Sequence, residues 1–371
     1  MAPSADVAKP FGSGTPGLDQ KSGLLREPLK LAGVLDQYKH IDLTPAIGRE
    51  YPDIQLTDLI AAPNADELLR DLSITIARRG VVFFRAQNLS PDEQKELTHR
   101  LGVLSGKPAD STLHIHPIAN AERDASHQVV DELGNVNRDH EISVISSKLQ
   151  KDVYDAGIRY RSAKEEIHSD ITFETRPADF SSLRVHTLPQ SGGDTLWYSG
   201  YQLYDDLSPK FQQFLESLTG HFAQPAFNKA ADQKGFKLYA GERGAPENVG
   251  EHLSADHPIV RTNPVTGWKS VFAIGSHFSH FKDLKRNESD LIKDYLLDHV
   301  ATNHLAQVRF KWNKNDLAIW DNRSTFHAAT PDYFGLGEER GGVRAVGIGE
   351  RPYLDPNSIS RLQELGGKNL I

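Results

Sequence analysis

The chain has 371 residues, 38% hydrophobic and 25% charged, which is an ordinary composition for a folded protein. A formal net charge of −8 excludes a general nucleic-acid binder, whose affinity would lean on a basic surface. There is no cysteine, which excludes disulfides, Cys-ligated zinc, iron–sulfur clusters and a cysteine nucleophile together. A reducing, cytoplasmic location is the expectation. Met1 to Pro16 are rich in Ala, Pro, Gly and Ser and show no apolar core of signal-peptide type. Nowhere do apolar residues run long enough to span a bilayer, so no membrane partner is expected.

In chain order, residues 1–27 read as a flexible N-terminal tail, and residues 28–371 as one domain. An irregular arm from Pro28 to Tyr51 comes first. Asn64 then caps a helix that shows Leu68, Leu69, Leu72 and Ile76 on one face and ends at Gly80. Val81-Val82-Phe83-Phe84 reads as a buried strand. Ser90-Pro91-Asp92-Glu93 is a capping box with proline in the first turn, opening a helix expected to stop near Gly102. The stretch 105–166 is polar and weakly periodic apart from a β-like piece at Ile142 to Ile145. It leads straight into His168, which favours an active-site cover. Strands are expected at Ser182 to Leu188, Thr195 to Tyr198, Ser270 to Ile274, Val308 to Trp312, Leu317 to Trp320 and Val343 to Ile348. Helices are expected at Leu203 to Leu207, at Ser208 to Leu218, and on an amphipathic stretch with Leu291, Ile292, Tyr295, Leu296 and His299. Many short strands with a few outer helices predict a β-rich α+β fold, a double-stranded β-helix (jelly roll) core with flanking helices.

The chemistry starts at His168-Ser169-Asp170. In an extended chain residues i and i+2 point to one side, so both side chains can grip one ion. Alone the pair is a weak signal, since surface His and Asp neighbours are common. A third ligand has to come from a distant segment.

At this point the chain resembles the taurine dioxygenase and chlorophenoxyacetate dioxygenase family, especially its fungal sulfonate-dioxygenase-like members. The resemblance runs from about Pro28 to Tyr353. His168-Ser169-Asp170-Ile171-Thr172-Phe173 matches the family's first metal motif and Gly192-Gly193-Asp194-Thr195-Leu196-Trp197 its co-substrate strand. Trp320-Asp321-Asn322-Arg323 and His327 match the second metal segment, followed by Asp332-Tyr333 and the pair Arg340 and Arg344. The resemblance implies Fe(II) held by His168, Asp170 and His327, with 2-oxoglutarate and dioxygen as co-substrates. Two imidazoles and one carboxylate on one face leave three positions open, which suits non-haem iron(II). The far carboxylate of 2-oxoglutarate needs a cationic fork, and by resemblance that is Arg340, with the Thr195 hydroxyl as second donor. Glu338-Glu339-Arg340 also reads as an exposed turn.

Arg344 is implied to face the primary substrate, a small organic anion, as a cation otherwise uncompensated; an ion pair within the sheet is the alternative. His116 corresponds to a substrate-pocket histidine, with His114 and His116 both open to a core role. Phe227 and Phe278 are candidate pocket walls or plain core. The taurine enzymes carry a tyrosine and an asparagine where this chain has Ala119 and Lys164, so partners for taurine's amine are missing, and an inward lysine would repel it. The function expected is oxidation of a C–H bond in an organosulfonate, releasing sulfite and an aldehyde. The alternatives are the same machinery on an amino acid or other carboxylate in secondary metabolism, or a non-oxygenase metal-binding jelly roll or zinc hydrolase. A homodimer is compatible with the resemblance.

Overall fold

The computed structural model describes residues 25–122, 139–147, 163–272 and 274–367. The expected tail, but for residues 25–27, lies outside the described residues, as do two stretches of the expected cover, 123–138 and 148–162.

Val81–Phe84 shows how the layers are built. All four residues are buried, and the alternation of a strand sends them two ways. Val82 and Phe84 join Leu68, Leu69, Leu72 and Ile76 of the helix Ala65–Arg79, together with Leu97 and Leu101 of the helix Pro91–Leu104. Val81 and Phe83 join Trp197, Phe310 and Trp320 on the opposite side. A strand covered on both faces needs a continuous apolar run, which is how the sequence reads there.

The strand lies in a seven-stranded sheet, ordered Ile41–Asp42, Arg49–Tyr51, Val81–Phe84, Asp316–Asp321, Ala178–Thr187, Gly341–Ile348, Ile142–Ser146. A three-stranded sheet of Gln307–Phe310, Thr195–Ser199 and Thr325–Ala329 faces it across the Trp197 cluster. A second three-stranded sheet, Phe278–Phe281, Thr219–Ala223 and Ser254–Pro258, packs against the helix Arg286–Thr302 through a further core. Among the described residues no helix is long and apolar enough to cross a membrane.

The Ser90 capping box forms as expected, with Ser90 N–H donating to Glu93 Oε2 at 2.8 Å and Glu93 N–H to Ser90 Oγ at 3.3 Å. Its helix continues past Gly102 to Leu104. Gly102 is a contact glycine: a Cβ there would lie 2.6 Å from Asp179 Oδ2. The helix Arg286–Thr302 buries only part of the face expected, with Leu296 in the core and Ile292 packed against it. Leu291 is 72% exposed and Tyr295 48%, whereas Leu296, Leu297 and Val300 are buried. The expected strand at Ser270 to Ile274 is shorter, Lys269–Val271, because the chain turns at Gly275 onto the first metal motif.

Leu72 is fully buried between the helices and the large sheet. Leu72→Ala should cost about 2–5 kcal/mol of unfolding free energy, measured by urea denaturation.

Candidate metal centre and its pocket

His168 and His327 pair across an antiparallel bridge: His168 N–H donates to His327 O at 3.0 Å and His327 N–H to His168 O at 2.7 Å. Directly opposed residues in such a pair project to the same face, and the ring centroids lie 4.3 Å apart. Asp170 is two residues along, its backbone N–H donating to Asn322 Oδ1 at 3.0 Å. Asn322 also donates to Ser181 Oγ at 2.8 Å, and Ser181 donates to Asp170 Oδ2 at 2.7 Å. Asp170 is therefore aimed from both its backbone and its side chain. His168 Nδ1 donates to Glu166 O at 2.6 Å, which leaves Nε2 for an ion.

One ligand atom each from His168, Asp170 and His327 lies within 4.8 Å of the other two, the only such group among the described residues. Burial alone would push the Asp170 carboxyl upward. The Arg344 guanidinium, then the two imidazoles, hold it well below the usual carboxylate range. Burial, then His168, pushes the His327 ring well below an ordinary histidine, so it is a neutral donor. Two imidazole nitrogens and one carboxylate oxygen brought together in this way fit an iron(II) ion.

Arg340 sits just before the strand Gly341–Ile348 and is 5% exposed, so the exposed-turn reading does not hold. Its Nε donates to Gly193 O at 2.7 Å and its Nη2 to Thr195 Oγ1 at 3.1 Å. The described end of the expected cover grips its backbone, with Ser147 N–H donating to Arg340 O at 3.0 Å and Arg340 N–H to Ser147 Oγ at 3.1 Å. No ion pair to Arg340 is found among the described residues; the adjacent Asp194 is paired with Arg309 instead, at 2.7 Å. Burial pushes its pKa down. Its hydrogen bonds among the described residues go to neutral oxygens, so an anion beside it would offset its buried charge.

Arg344, four residues on, has a carboxylate. Its Nη1 donates to Asp170 Oδ1 at 2.6 Å, which corrects the expectation of an uncompensated cation. Its Nε is buried without a partner.

The sequence comparisons agree with this geometry. The family described as taurine catabolism dioxygenase TauD, TfdA family matches residues 39–346. The chain belongs to the TauD/TfdA family. The α-ketoglutarate-dependent dioxygenase oryG of Aspergillus oryzae is 47% identical over 341 residues, covering 91% of this chain and 96% of that one. The α-ketoglutarate-dependent sulfonate dioxygenase of Saccharomyces cerevisiae is 29% identical over 323 residues, covering 86% and 69%. A crystal structure of a taurine dioxygenase from Burkholderia xenovorans superposes with a TM-score of 0.62 at 25% identity, covering 86% and 94%. The protein is an oxidoreductase, a 2-oxoglutarate-dependent dioxygenase that uses Fe(II) and dioxygen.

A run of ring contacts leads away from the candidate metal centre. His168 contacts His277 (centroids 5.3 Å), His277 contacts Phe173 (5.3 Å), Phe173 contacts Phe227 (5.7 Å), and Phe227 contacts His116 (5.3 Å). His116 Nδ1 accepts the backbone N–H groups of Ile118 (3.1 Å) and Ala119 (3.2 Å), which places the proton of the neutral ring on Nε2. His114 is buried beside the Glu174–Arg243 pair, 3.6 Å from Glu174 Oε1.

Two expectations are corrected. Phe278 packs on Phe222 (5.3 Å) and Phe281 (4.7 Å) inside the core, because its neighbour His277 takes the metal-facing position. Lys164 pairs with Asp298 on the surface at 2.5 Å, so it does not point at the pocket.

His277 is the residue that sequence reasoning missed. Its Nδ1 lies 3.0 Å from Thr172 Oγ1, and it arrives on the turn at Gly275. That glycine has φ +131°, and a Cβ on it would meet Ile167 O at 2.0 Å and His168 Cα at 3.5 Å. The isolated glycine at the end of a strand-like run was the available signal. Gly275→Ala must displace the His168 backbone and should weaken Co(II) binding and lower the unfolding temperature together, at a cost above about 1 kcal/mol. Unchanged Co(II) affinity by titration would show that the turn does not set the ligand.

Proposed function

We propose that this enzyme oxidises a C–H bond of a small organic anion, foremost an organosulfonate, in the cytoplasm. His168, Asp170 and His327 hold the iron, and Arg340 with Thr195 takes the far carboxylate of 2-oxoglutarate. The observation that carries this reading is the pair of features on neighbouring strands: a three-ligand cluster, and a buried arginine with no ion partner among the described residues. The facing sheets around the Trp197 cluster read as the halves of a double-stranded β-helix, within one domain from residue 28 to 371.

When bound, iron(II), 2-oxoglutarate and dioxygen supply an oxidant for carbon–hydrogen bonds, with succinate and carbon dioxide as by-products. The chain's own residues do the rest. Arg340 supplies a planar fork to the distal carboxylate and Thr195 a hydroxyl beside it, which sets the co-substrate's reach toward the triad. Arg344 has an unused Nε donor in the same pocket and His116 an Nε2 proton; both suit an anionic head group. Phe173 and Phe227 cover apolar parts of the substrate and keep water away. A sulfonate hydroxylated on the carbon next to sulfur loses sulfite and leaves an aldehyde. The sulfonate assignment draws on the named activity of the Saccharomyces cerevisiae relative. A carboxylate or amino acid of secondary metabolism would meet the same arginine, and the product separates the two.

His327→Ala should abolish succinate formation in a folded protein. Arg340→Ala should raise the 2-oxoglutarate requirement by roughly 10²-fold or more. An unchanged requirement would move the co-substrate site elsewhere. For the substrate, a panel of sulfonates and carboxylates scored for succinate, sulfite and aldehyde decides. With Lys164 turned away, the case against taurine rests on Ala119, which offers no hydroxyl to the amine. Taurine should be turned over less efficiently than amine-free alkanesulfonates; the reverse order would refute that pocket assignment.

A further inference from the structure

We propose that Arg344 is the resident counter-cation of Asp170, competing with the metal ion for the same carboxylate oxygen. The proposal rests on the reading of His168, Asp170 and His327 as ligands and adds a step to it: entry of the ion breaks an existing ion pair.

The two oxygens of Asp170 have different surroundings. Oδ2 accepts the Ser181 hydroxyl at 2.7 Å, a bond turned toward the large sheet. Oδ1 lies 4.0 Å from His327 Nε2, so it is the oxygen turned to the ion position. Arg344 Nη1 sits on that oxygen at 2.6 Å. Asp170 is 2% exposed, and a buried carboxylate without a cation is strongly unfavourable. Arg344 is the one arginine or lysine with an ion pair to Asp170 among the described residues, where no other carboxylate pairs with it, and His327 Nε2 stands further off at 4.0 Å.

The guanidinium is also only partly satisfied. Nε is buried with no partner, although the fork could present Nε and a terminal nitrogen together to a bidentate acceptor. Asp170 thus holds Arg344 by one arm only. Were a divalent ion held by Oδ1, the guanidinium of Arg344 would lose its claim on that carboxylate and be repelled by the ion. Its displaced arm and the unused Nε would then be two donors of one fork, available to an anionic group. Arg344 accordingly stabilises the metal-free chain and opposes metal binding, the reverse of what a residue that merely aims Asp170 would do.

The test uses the full metal-free chain and Co(II), without 2-oxoglutarate. Co(II) affinity is read by calorimetry and by the ligand-field absorption, and the unfolding temperature with and without the ion. Arg344→Gln should unfold at a lower temperature than wild type when metal-free. It should bind Co(II) more tightly, by a factor in the range of about 5 to 150 expected for two coupled sites, and gain more unfolding temperature from the ion. Arg344→Lys, which keeps the charge, should stay near wild type in both. Equal or weaker Co(II) binding by Arg344→Gln would overturn the proposal and leave Arg344 as a residue that aims Asp170. The ligand assignment is checked separately by His168→Ala. If wild type and His168→Ala bind Co(II) alike, the triad itself is wrong; if His168→Ala is weakened while Arg344→Gln equals wild type, only the counter-cation fails.

Discussion

The reciprocal backbone hydrogen bonds between His168 and His327 are the contact on which the site depends, since they join two distant segments of chain face to face. His327 belongs to the strand Thr325–Ala329, paired in turn with Thr195–Ser199, so the same small sheet delivers a metal ligand and the Thr195 hydroxyl. The large sheet delivers the rest: Ser181 behind Asp170, and the strand Gly341–Ile348 that carries Arg344 and begins beside Arg340. The aromatic packing of Phe83, Trp197, Phe310 and Trp320 fixes the spacing of the two sheets, and with it the reach between the iron ligands and the arginines. Precision at the centre is inherited from backbone pairing and ring packing, which tolerate little displacement.

The four-residue motif Trp320-Asp321-Asn322-Arg323 shows how that support is divided. Trp320 packs against the His327 ring at 4.9 Å and donates from Nε1 to Asn322 Oδ1 at 3.0 Å. Asn322 passes that orientation to Asp170 and Ser181. Asp321 and Arg323 form a buried bidentate pair, at 2.7 and 2.9 Å, and Asn263 donates to the same carboxylate at 2.9 Å. The charge of Arg323 is thus paired by its own neighbour, and Glu350 Oε2 lies 3.8 Å from its Nη1. Arg340 is also buried, and among the described residues its side chain donates to a carbonyl and a hydroxyl and to no carboxylate. Sequence alone sees arginines of equal kind; their ion partners separate a structural cation from one that awaits an anion.

Where the signal was local, the sequence was legible. The capping box at Ser90, the apolar run at Val81 and the strand around Leu317 each carry their cause within a few residues, and each forms. The candidate cluster was legible because a family pattern ties His168-Ser169-Asp170 to a histidine 157 residues after Asp170, at His327, and the structure brings the three together. The strands Thr219–Ala223 and Ser254–Pro258 were not, since their sequences mix Thr, Gly, Ser, Asp, His and Pro with little apolar alternation, even though alternate residues of the first are buried. Phe278 and His277 illustrate a one-residue ambiguity: two adjacent rings, of which one faces core and the other the metal, with the turn at Gly275 deciding which. Lys164 fails for another reason. Its partner Asp298 lies on a helix far along the chain, and no pattern near either residue announces the pair.

The Arg344–Asp170 contact changes what an arginine in such a pocket means. A lone buried cation would demand an anionic substrate merely to exist, and burial of a charge without partner is rarely tolerated. Here the cost is already met by Asp170, so the presence of Arg344 is no proof that the substrate is an anion. The stronger evidence is the geometry of what is left over. One arm of the guanidinium is engaged, Nε is buried and idle, and the aromatic run from Phe173 to Phe227 ends at His116. A neutral, purely apolar substrate would leave the Arg344 Nε donor desolvated and unmatched, which would penalise it. Under the proposed function an anionic head group would satisfy that donor, so a preference for anions would come from a donor that only an acceptor can relieve, and not from a bare charge.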